Sequence, residues 1–249
     1  MNHTPCFIAT SLNPQTVSSS ISLNELPETT QQHLKSLRIK ANETVNFLNG
    51  QGVVFKTQSN LNNKTLSFNV LEIKSQKKLE PKINLYFSPP IGSALEETLI
   101  QACEIGVNNF YFLRSQHNQY NRQHLFKSER LKRIIESACT QCTQPWLPEL
   151  HTEWITLDEA MSHAQKSTIV IAQESLAGII KTGQTRENSK LSNKYEFSLF
   201  IGPEGGWSLE EESLLERKSQ ISLCLGDLIL RVPTAVVASC FWIRSHFEG

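Results

Sequence analysis

Residues 201–211 read IGPEGGWSLEE and place three of the 11 glycines of the chain within five positions. An apolar run, YEFSLF at 195–200, precedes this stretch, and a helix-like segment follows it. Glycine has no side chain and tolerates positive φ, so glycines between a strand and a helix let the backbone approach a ligand. Ser208 and Glu211 have the spacing of a capping box, which would fix the helix start just after the loop. The stretch therefore predicts a ligand-binding loop.

The residues of this loop narrow the class of ligand. A phosphate-binding loop normally carries a lysine after its glycines, and dinucleotide folds carry G-x-G-x-x-G; neither pattern is found here. Glu204 lies inside the loop, where it would repel a phosphate. A neutral or cationic ligand fits better, for example the sulfonium of S-adenosylmethionine. A tight turn with Glu204 placed against the helix dipole is an equally good interpretation of the residues alone.

Strands and helices alternate over the C-terminal two thirds of the chain. The predicted strands are 83–88, 109–114, 168–173, 195–202 and 221–226, and the predicted helices are 93–106, 121–142, 156–165, one from 208, and 234–247. Such alternation predicts an α/β fold with a parallel sheet that is covered on both faces. Ligands of these sheets bind beyond the carboxyl ends of the strands, where the loops 172–175, 202–206 and 225–231 would meet.

The N-terminal region has a different pattern. Short strands are predicted at 6–10, 43–49, 52–58 and 66–74, with a helix at 27–40, which suggests a small β-barrel followed by a charged linker at 75–82. Residues 1–82 carry nine Lys and Arg against five Asp and Glu, a net +4, and the remainder carries −4. This imbalance suits a surface that contacts RNA phosphates, although chance gives an imbalance of this size as readily.

The composition and the sequence patterns argue against a secreted protein, a membrane protein and a zinc-binding protein. Hydrophobic residues make up 39% of the 249 residues and the net charge is zero, as in ordinary globular proteins. The start of the chain has no signal-peptide pattern and no apolar run has transmembrane length, which predicts a cytoplasmic protein without a membrane partner. Cys139 and Cys142 form C-x-x-C without a second pair or clustered histidines, so buried helix thiols are favoured over zinc and no metal is predicted.

Two motifs together resemble one family. FIGPEGGWSLEE at 200–211, followed by CLGDLILRVPTA at 224–235 and an apolar helix, resembles the RsmE family. HLKSLRIKANETV at 33–45 is similar to the N-terminal PUA-like barrel of that family, and ETLIQACEIGVNNFYFLRSQ at 97–116 is similar to a second segment. RsmE proteins are SPOUT-class enzymes that use S-adenosylmethionine to methylate N3 of a uridine in small-subunit (16S) ribosomal RNA of assembled 30S subunits.

The resemblance implies an architecture and a partner. Residues 1–76 would form a PUA-like β-barrel RNA-binding domain. Residues 77–249 would form a SPOUT methyltransferase domain, an α/β parallel sheet with a C-terminal trefoil knot. The protein would be a homodimer that binds small-subunit ribosomal RNA.

The resemblance also implies site residues. Arg231 would stabilise the charge that develops on uracil, for which a guanidinium is well shaped, and Glu204 would orient the loop or contact the sulfonium. The RNA-binding candidates are His33, Arg38 and Lys40. The cofactor-binding candidates are Ala172, Gly202, Pro203, Glu204, Gly205, Gly206, Leu225, Gly226, Leu230 and Arg231. Trp207 would shape the pocket or pack in the core.

The chain departs from the family pattern at four places. Val232 and Pro233 replace a threonine and a glutamate, Gln144 stands where an arginine is usual, and the segment 88–92 lacks the usual lysine. Pro233 also removes a backbone N–H. These departures favour a second hypothesis, an RNA-binding ribosome-assembly factor that keeps the fold with weakened catalysis. A third hypothesis is a nucleotide-binding α/β domain of unrelated function. No residue in the sequence identifies the general base or the target nucleotide.

Overall fold

The computed structural model describes residues 4–62, 65–118, 127–173 and 191–247. The chain divides into two compact units, one of Met1–Lys78 with Glu136–Leu147, the other of Leu79–Ile135 with Pro148–Gly249. The sequence predicted a single boundary after residue 76. The structure instead groups the segment 136–147 with the N-terminal residues. The domain boundary inferred from the sequence stays a prediction. The first residues of the helix expected at 121–142 and the last of the loop at 172–175 lie outside the described residues.

The first unit is built on a five-stranded sheet. Its strands are β1 (Cys6–Ile8), β2 (Ser20–Ser22), β3 (Thr44–Leu48), β4 (Val53–Asn62) and β5 (Thr65–Ser75), in the order β1-β3-β4-β5-β2. Only β1 and β3 pair in parallel among these neighbours. The sequence did not predict β2, because its three residues are too few to show the alternation of apolar and polar side chains that marks a strand. Phe47, Phe55 and Phe68 are fully buried in the core of this unit.

The helix of the first unit, α1 (Glu28–Ser36), is shorter than the predicted 27–40. The chain turns directly after it, because Arg38 and Asn42 both adopt positive φ, at 49° and 65°. Ser59 anchors this turn: its hydroxyl donates to the carbonyl of Lys40 at 2.6 Å, and its carbonyl accepts from the Asn42 N–H at 2.8 Å. Arg38 and Lys40 therefore lie on an exposed turn rather than on a helix.

The segment 136–147 joins the first unit through backbone hydrogen bonds near two glycines. The Gly52 N–H donates to the Pro145 carbonyl at 2.9 Å, and the Leu147 N–H donates to the Gly50 carbonyl at 3.1 Å. The Trp146 indole N–H donates to the Gln76 carbonyl at 2.9 Å. Gly52 has a φ of 89°, and a Cβ at this position would lie 2.3 Å from the indole ring, so only glycine fits.

The second unit confirms the predicted α/β class. Its six strands form one sheet in the order β11-β9-β10-β6-β7-β8, and every neighbouring pair is parallel. The strands are β6 (Lys82–Phe87), β7 (Asn109–Leu113), β8 (Glu149–Ile155), β9 (Thr168–Gln173), β10 (Glu196–Ile201) and β11 (Ile221–Cys224). The sequence did not predict β8, because it is an edge strand that is only partly buried and lacks an apolar pattern.

Five helices accompany this sheet along the chain. They are α2 (Ser93–Glu104), α3 (Ser128–Gln141), α4 (Leu157–His163), α5 (Leu209–Lys218) and α6 (Val232–Phe247). α3 contributes residues to both units, since the division falls after Ile135. The capping boxes that Thr156 forms with Glu159 and Ser208 with Glu211 begin α4 and α5. Among the described residues, no helix has the combination of length and apolar character that crossing a membrane requires.

A stack of four aromatic rings crosses the sheet. Phe200, Tyr86, Tyr111 and His151 are register partners on β10, β6, β7 and β8. Successive ring centroids are 4.8, 4.4 and 4.2 Å apart, and the rings are nearly parallel. Burial raises the pKa of Tyr86, which keeps its phenol neutral. The stack fixes the register of β10, which ends at Ile201 where the glycine loop begins.

Glu196 provides a pH-dependent contribution to stability at the start of β10. Its carboxylate accepts a hydrogen bond from Asn84 at 2.8 Å and lies 2.9 Å from the Lys82 ammonium. Burial favours the protonated acid, but the Asn84 hydrogen bond and the Lys82 charge outweigh it and lower the pKa of Glu196. Because the folded pKa is lowered, the stabilisation is present above the unfolded pKa and is lost as pH falls through the folded one.

We therefore expect Glu196→Gln to destabilise the protein at neutral pH, with a difference from wild type that narrows as the pH is lowered below 4. Denaturant unfolding of both proteins between pH 7 and 3 measures this difference. Glu153→Gln, which changes an exposed carboxylate on β8, is the matched control and should show no such trend. A Glu196→Gln difference that stays constant across this pH range would contradict the assignment.

Candidate functional site

The glycine loop, residues 202–206, leads from β10 into α5. The Gly206 N–H donates to the Pro203 carbonyl at 2.9 Å, and Gly206 has a φ of 73°, which closes the loop as a tight turn. The Glu211 carboxylate accepts from the Ser208 N–H at 2.8 Å, and the Ser208 hydroxyl accepts from the Glu211 N–H at 3.3 Å. The predicted capping box is thus confirmed, and it holds the start of α5 directly behind the loop.

A cleft of about 530 Å³ lies beside this loop, at the carboxyl ends of β9, β10 and β11. The structure brings every predicted cofactor-binding residue together in its lining: Ala172, Gly202, Pro203, Glu204, Gly205, Gly206, Leu225, Gly226, Leu230 and Arg231. The lining also includes Trp207, for which the sequence left a pocket or a core position open, and Leu228 and Ile229 of the predicted loop 225–231. Four further lining residues were not assigned from the sequence: Ile201, Glu212, Val232 and Ala235. Their role in holding a cofactor stays a prediction.

Glycines set the shape of the cleft. A Cβ on Gly202 would lie 2.9 Å from the indole ring of Trp207, so this ring packs directly against the backbone and forms part of the cleft wall. Gly206 and Gly226 have φ values of 73° and 126°, and a Cβ at either position would meet nothing within 4 Å. The loops therefore leave open space beside their backbone, as a ligand-binding loop requires.

Arg231 lies between the cleft and α6. Its carbonyl accepts from the Ala235 N–H at 2.9 Å, so Arg231 is the residue just before the first turn of the helix. Its side chain is 69% exposed, and its Nη1 lies 3.7 Å from Glu97 Oε2 on α2. An exposed ion pair of this length contributes little to stability. Arg231 also lines the cleft.

Pro233 occupies a position where a proline costs no helical hydrogen bond. α6 begins at Val232, two residues earlier than predicted, which places Pro233 in its first turn. The N–H groups of a first turn have no partner within the helix, so the N–H that proline lacks is not used there. The missing N–H of Pro233 therefore costs the helix nothing, and this turn differs from the family pattern in two side chains, the threonine replaced by Val232 and the carboxylate replaced by Pro233.

Gln144 has a local structural role. Its side-chain oxygen accepts from the Trp146 N–H at 3.2 Å, and its own N–H donates to the Cys139 carbonyl at 2.9 Å. These bonds close the turn after α3. Gln144 therefore stabilises the segment 136–147, and an arginine in its place would lack the acceptor.

The loop after β7 contacts the glycine loop, the start of α5 and the loop after β6. The Glu211 carboxylate accepts from the Gln116 N–H at 2.9 Å, and His117 Nδ1 lies 3.2 Å from the Gly206 carbonyl. The Ser88 and Ser115 hydroxyls share a hydrogen bond of 2.8 Å. Sequence reasoning missed His117 because it belongs to no motif. Its place just beyond the carboxyl end of a parallel strand was the one available signal.

The predicted RNA-binding residues lie in the first unit and are exposed. His33 is on α1, where its ring meets the edge of Phe7 at a centroid distance of 5.2 Å. Arg38 and Lys40 follow on the turn described above. Their contact with RNA stays a prediction. The described residues include no group of three or more His, Cys, Asp or Glu side chains placed to bind a metal ion.

Residues 77–244 match the family model of an RNA methyltransferase domain. The chain belongs to this RNA methyltransferase family. A Synechocystis protein named ribosomal RNA small subunit methyltransferase E is 29% identical over 223 residues, which cover 86% of this chain and 69% of that protein. The protein of the same name from Aquifex aeolicus is 27% identical over 211 residues, covering 83% and 87%. The membership of the RsmE family that the two motifs predicted is thereby confirmed.

Solved structures agree in fold along nearly the whole chain. A ribosomal RNA small subunit methyltransferase E from Neisseria gonorrhoeae, bound to S-adenosylmethionine, has a TM-score of 0.78 at 24% identity and covers 98% of each chain. A putative methyltransferase from Legionella pneumophila, also in complex with S-adenosylmethionine, has a TM-score of 0.78 at 22% identity with the same coverage. At these identities the likeness establishes the fold of this RNA methyltransferase.

Proposed function

We propose that this protein transfers a methyl group from S-adenosylmethionine to N3 of a uridine in small-subunit ribosomal RNA, within assembled 30S subunits. The observation that carries the proposal is the cleft at the carboxyl ends of β9, β10 and β11, which gathers all ten predicted cofactor-binding residues. The relatives named as small-subunit methyltransferases, and the two solved structures that hold S-adenosylmethionine, support it.

The residues of the cleft fit S-adenosylmethionine. Open space beside Gly206 and Gly226 leaves their backbone accessible to the adenosyl group, and Leu225 and Leu230 supply apolar surface for the adenine. Glu204 contributes a carboxylate to the lining of the cleft, a group of opposite charge to a sulfonium. When bound, the cofactor supplies an electrophilic methyl group. The cleft would hold it with the backbone of the loops 202–206 and 225–230.

Arg231 is the group that we assign to charge stabilisation. The uracil N3 must lose its proton, and negative charge then spreads onto the flanking carbonyl oxygens. A guanidinium presents several N–H donors in one plane and stabilises such a charge where it develops. Arg231 lines the cleft, and Glu97 lies within 3.7 Å of it. Positioning of the uridine against the methyl group should supply much of the remaining rate enhancement.

The architecture and partners that we propose follow the family resemblance. The first unit would act as a PUA-like barrel that contacts RNA through His33, Arg38 and Lys40. The second would be a SPOUT domain with a trefoil knot. Homodimerisation is supported by the exposure of three apolar side chains in this unit, which reaches 80% for Leu228, 76% for Ile229 and 64% for Phe241. Sedimentation of the purified protein as a monomer would contradict this part. We place the protein in the cytoplasm, with the ribosomal subunits.

Methylation of purified subunits tests the proposal. 30S subunits from cells that lack the gene should accept one methyl group from labelled S-adenosylmethionine, and mass mapping should locate it on N3 of a uridine. Subunits from wild-type cells, whose site is already methylated, and protein-free 16S RNA are the controls and should accept little label. Tight binding of the subunits without methyl transfer would instead support the assembly-factor hypothesis, which the missing carboxylate at Pro233 favours.

A further inference from the structure

His117 has a defined tautomer because of the atom that it contacts. Its Nδ1 lies 3.2 Å from the Gly206 carbonyl oxygen. A carbonyl oxygen can only accept a hydrogen bond, so Nδ1 must carry the proton and donate it. A neutral imidazole protonated on Nδ1 has its lone pair on Nε2. The glycine loop thus holds this exposed histidine in the tautomer that leaves Nε2 able to accept a proton.

The backbone of His117 and its Cβ pack close to the glycine loop. A Cβ on Gly205 would lie 3.3 Å from the His117 Cβ, which is tighter than most Cβ contacts, and 3.5 Å from the His117 carbonyl oxygen, an ordinary van der Waals distance. The side-chain direction of Gly205 therefore faces His117. This glycine allows the segment after β7 to approach the loop.

The position of His117 is beside the proposed cofactor cleft. A second, small cavity is lined by His117 and Asn118 together with Pro203 and Glu204 of the glycine loop, and by the segment 89–91. Pro203 and Glu204 also line the cleft, so the two cavities adjoin at these residues. His117 therefore lies next to the two loop residues that the cavities share.

We propose that His117 is the general base of the methyl transfer, an inference that rests on the proposed uridine N3 activity. His117 Nε2 takes the proton from N3, and the N3 electron pair forms a bond to the methyl carbon. The bond between that carbon and the sulfur breaks, and its electron pair stays on sulfur as S-adenosylhomocysteine. The net positive charge passes from the sulfonium to the imidazolium, which then releases its proton to water.

Charged groups lie on the elements beside His117. Among the described segments that adjoin it, the glycine loop contributes Glu204 and the start of α5 contributes Glu211, whose carboxylate accepts from Gln116 N–H. The segment 89–91 carries no titratable group. Arg114 lies three residues earlier on the same strand end. These titratable groups beside His117 are therefore two carboxylates and one guanidinium.

The variant His117→Asn separates base catalysis from positioning. The asparagine side-chain amide can donate to the Gly206 carbonyl as Nδ1 does, but it has no basic lone pair. We expect the single-turnover rate of subunit methylation to fall about a hundredfold, the usual contribution of a general base. The wild-type rate should fall at acid pH, where imidazoles are protonated, and this limb should be absent from the variant. Binding of S-adenosylmethionine, measured by calorimetry, should be unchanged.

His163→Asn, which alters an exposed histidine of α4, is the matched control and should keep the wild-type rate and pH profile. If His117→Asn retains the wild-type rate and its acid limb while His117→Ala loses activity, His117 only positions the loop and the inference is wrong. If both variants retain activity, the inference is also wrong, although the proposed function stands. A wild-type protein that transfers no methyl group would fail the proposed function itself.

Discussion

Replacing Arg231 with alanine should lower the rate of 30S methylation about a hundredfold, the effect of losing one donor that stabilises a developing oxyanion. The affinity for the subunit should hardly change, because the interaction belongs to the transition state. Arg231 is 69% exposed and is contacted by Glu97 at 3.7 Å, so its removal leaves no buried charge unpaired and should not impair folding. Single-turnover methylation and subunit binding, measured on the same preparations, give the two quantities.

Two further variants sharpen this test. Arg231→Lys keeps the positive charge but not the planar arrangement of donors, and it should recover only part of the rate. Arg133→Ala removes an exposed arginine from α3 and serves as the matched control, with a rate equal to that of wild type. A fall in subunit affinity that accounts for the whole loss in Arg231→Ala would show that Arg231 binds RNA rather than stabilising charge.

Gly52→Ala should lower the free energy of unfolding by about 3 kcal/mol, from the cost of positive φ and of overpacking. The new Cβ would lie 2.3 Å from the rigid indole of Trp146, at a φ of 89°. Relief requires the ring to move, which breaks the hydrogen bond from its N–H to the Gln76 carbonyl. Urea unfolding followed by circular dichroism measures the loss.

Gly50→Ala is the matched control in the same unit. Gly50 has a similar φ of 76°, but its Cβ would meet the flexible end of Leu147, at 2.8 Å, instead of an indole. This variant should lose about 1–2 kcal/mol, the backbone cost alone. Equal losses in the two variants would show that the indole yields easily and that the segment 136–147 is held by other contacts.

Local signals in the sequence predicted much of the second unit. β9 was predicted with its observed bounds, and the capping box at Ser208 predicted the start of α5, because both signals depend on residues close in sequence. The sequence failed where structure depends on distant partners. β8 is recognisable only as the neighbour of β7, and the segment 136–147 joins the first unit through Gly50 and Gly52, far away along the chain.

In the candidate site, too, local signals in the sequence predicted some residues, and contacts between distant residues could not be predicted. Residues of the cleft could be predicted because the ends of parallel strands meet at one edge of the sheet, and the glycine loop marked one of these ends. His117 could not, because its relation to Gly206 is a contact between loops that follow different strands. In the sequence, Gln144 and Pro233 each indicate the loss of a charged family residue. In the structure, Gln144 accepts a hydrogen bond that closes a turn, and Pro233 lies in the first turn of α6, where its missing N–H is not needed.

The first unit is not continuous in sequence, because its second segment begins within α3. The chain leaves the first unit after Lys78, returns to it at Glu136 and leaves it again after Leu147. A fragment that stops at residue 76 would lack the carbonyl of Pro145 and the indole of Trp146, which occupy the surface around Gly52. Residues 1–76 alone therefore do not contain the whole first unit. A gene fusion that carried only these residues to another enzyme would lack the segment 136–147 and its contacts with Gly50 and Gly52.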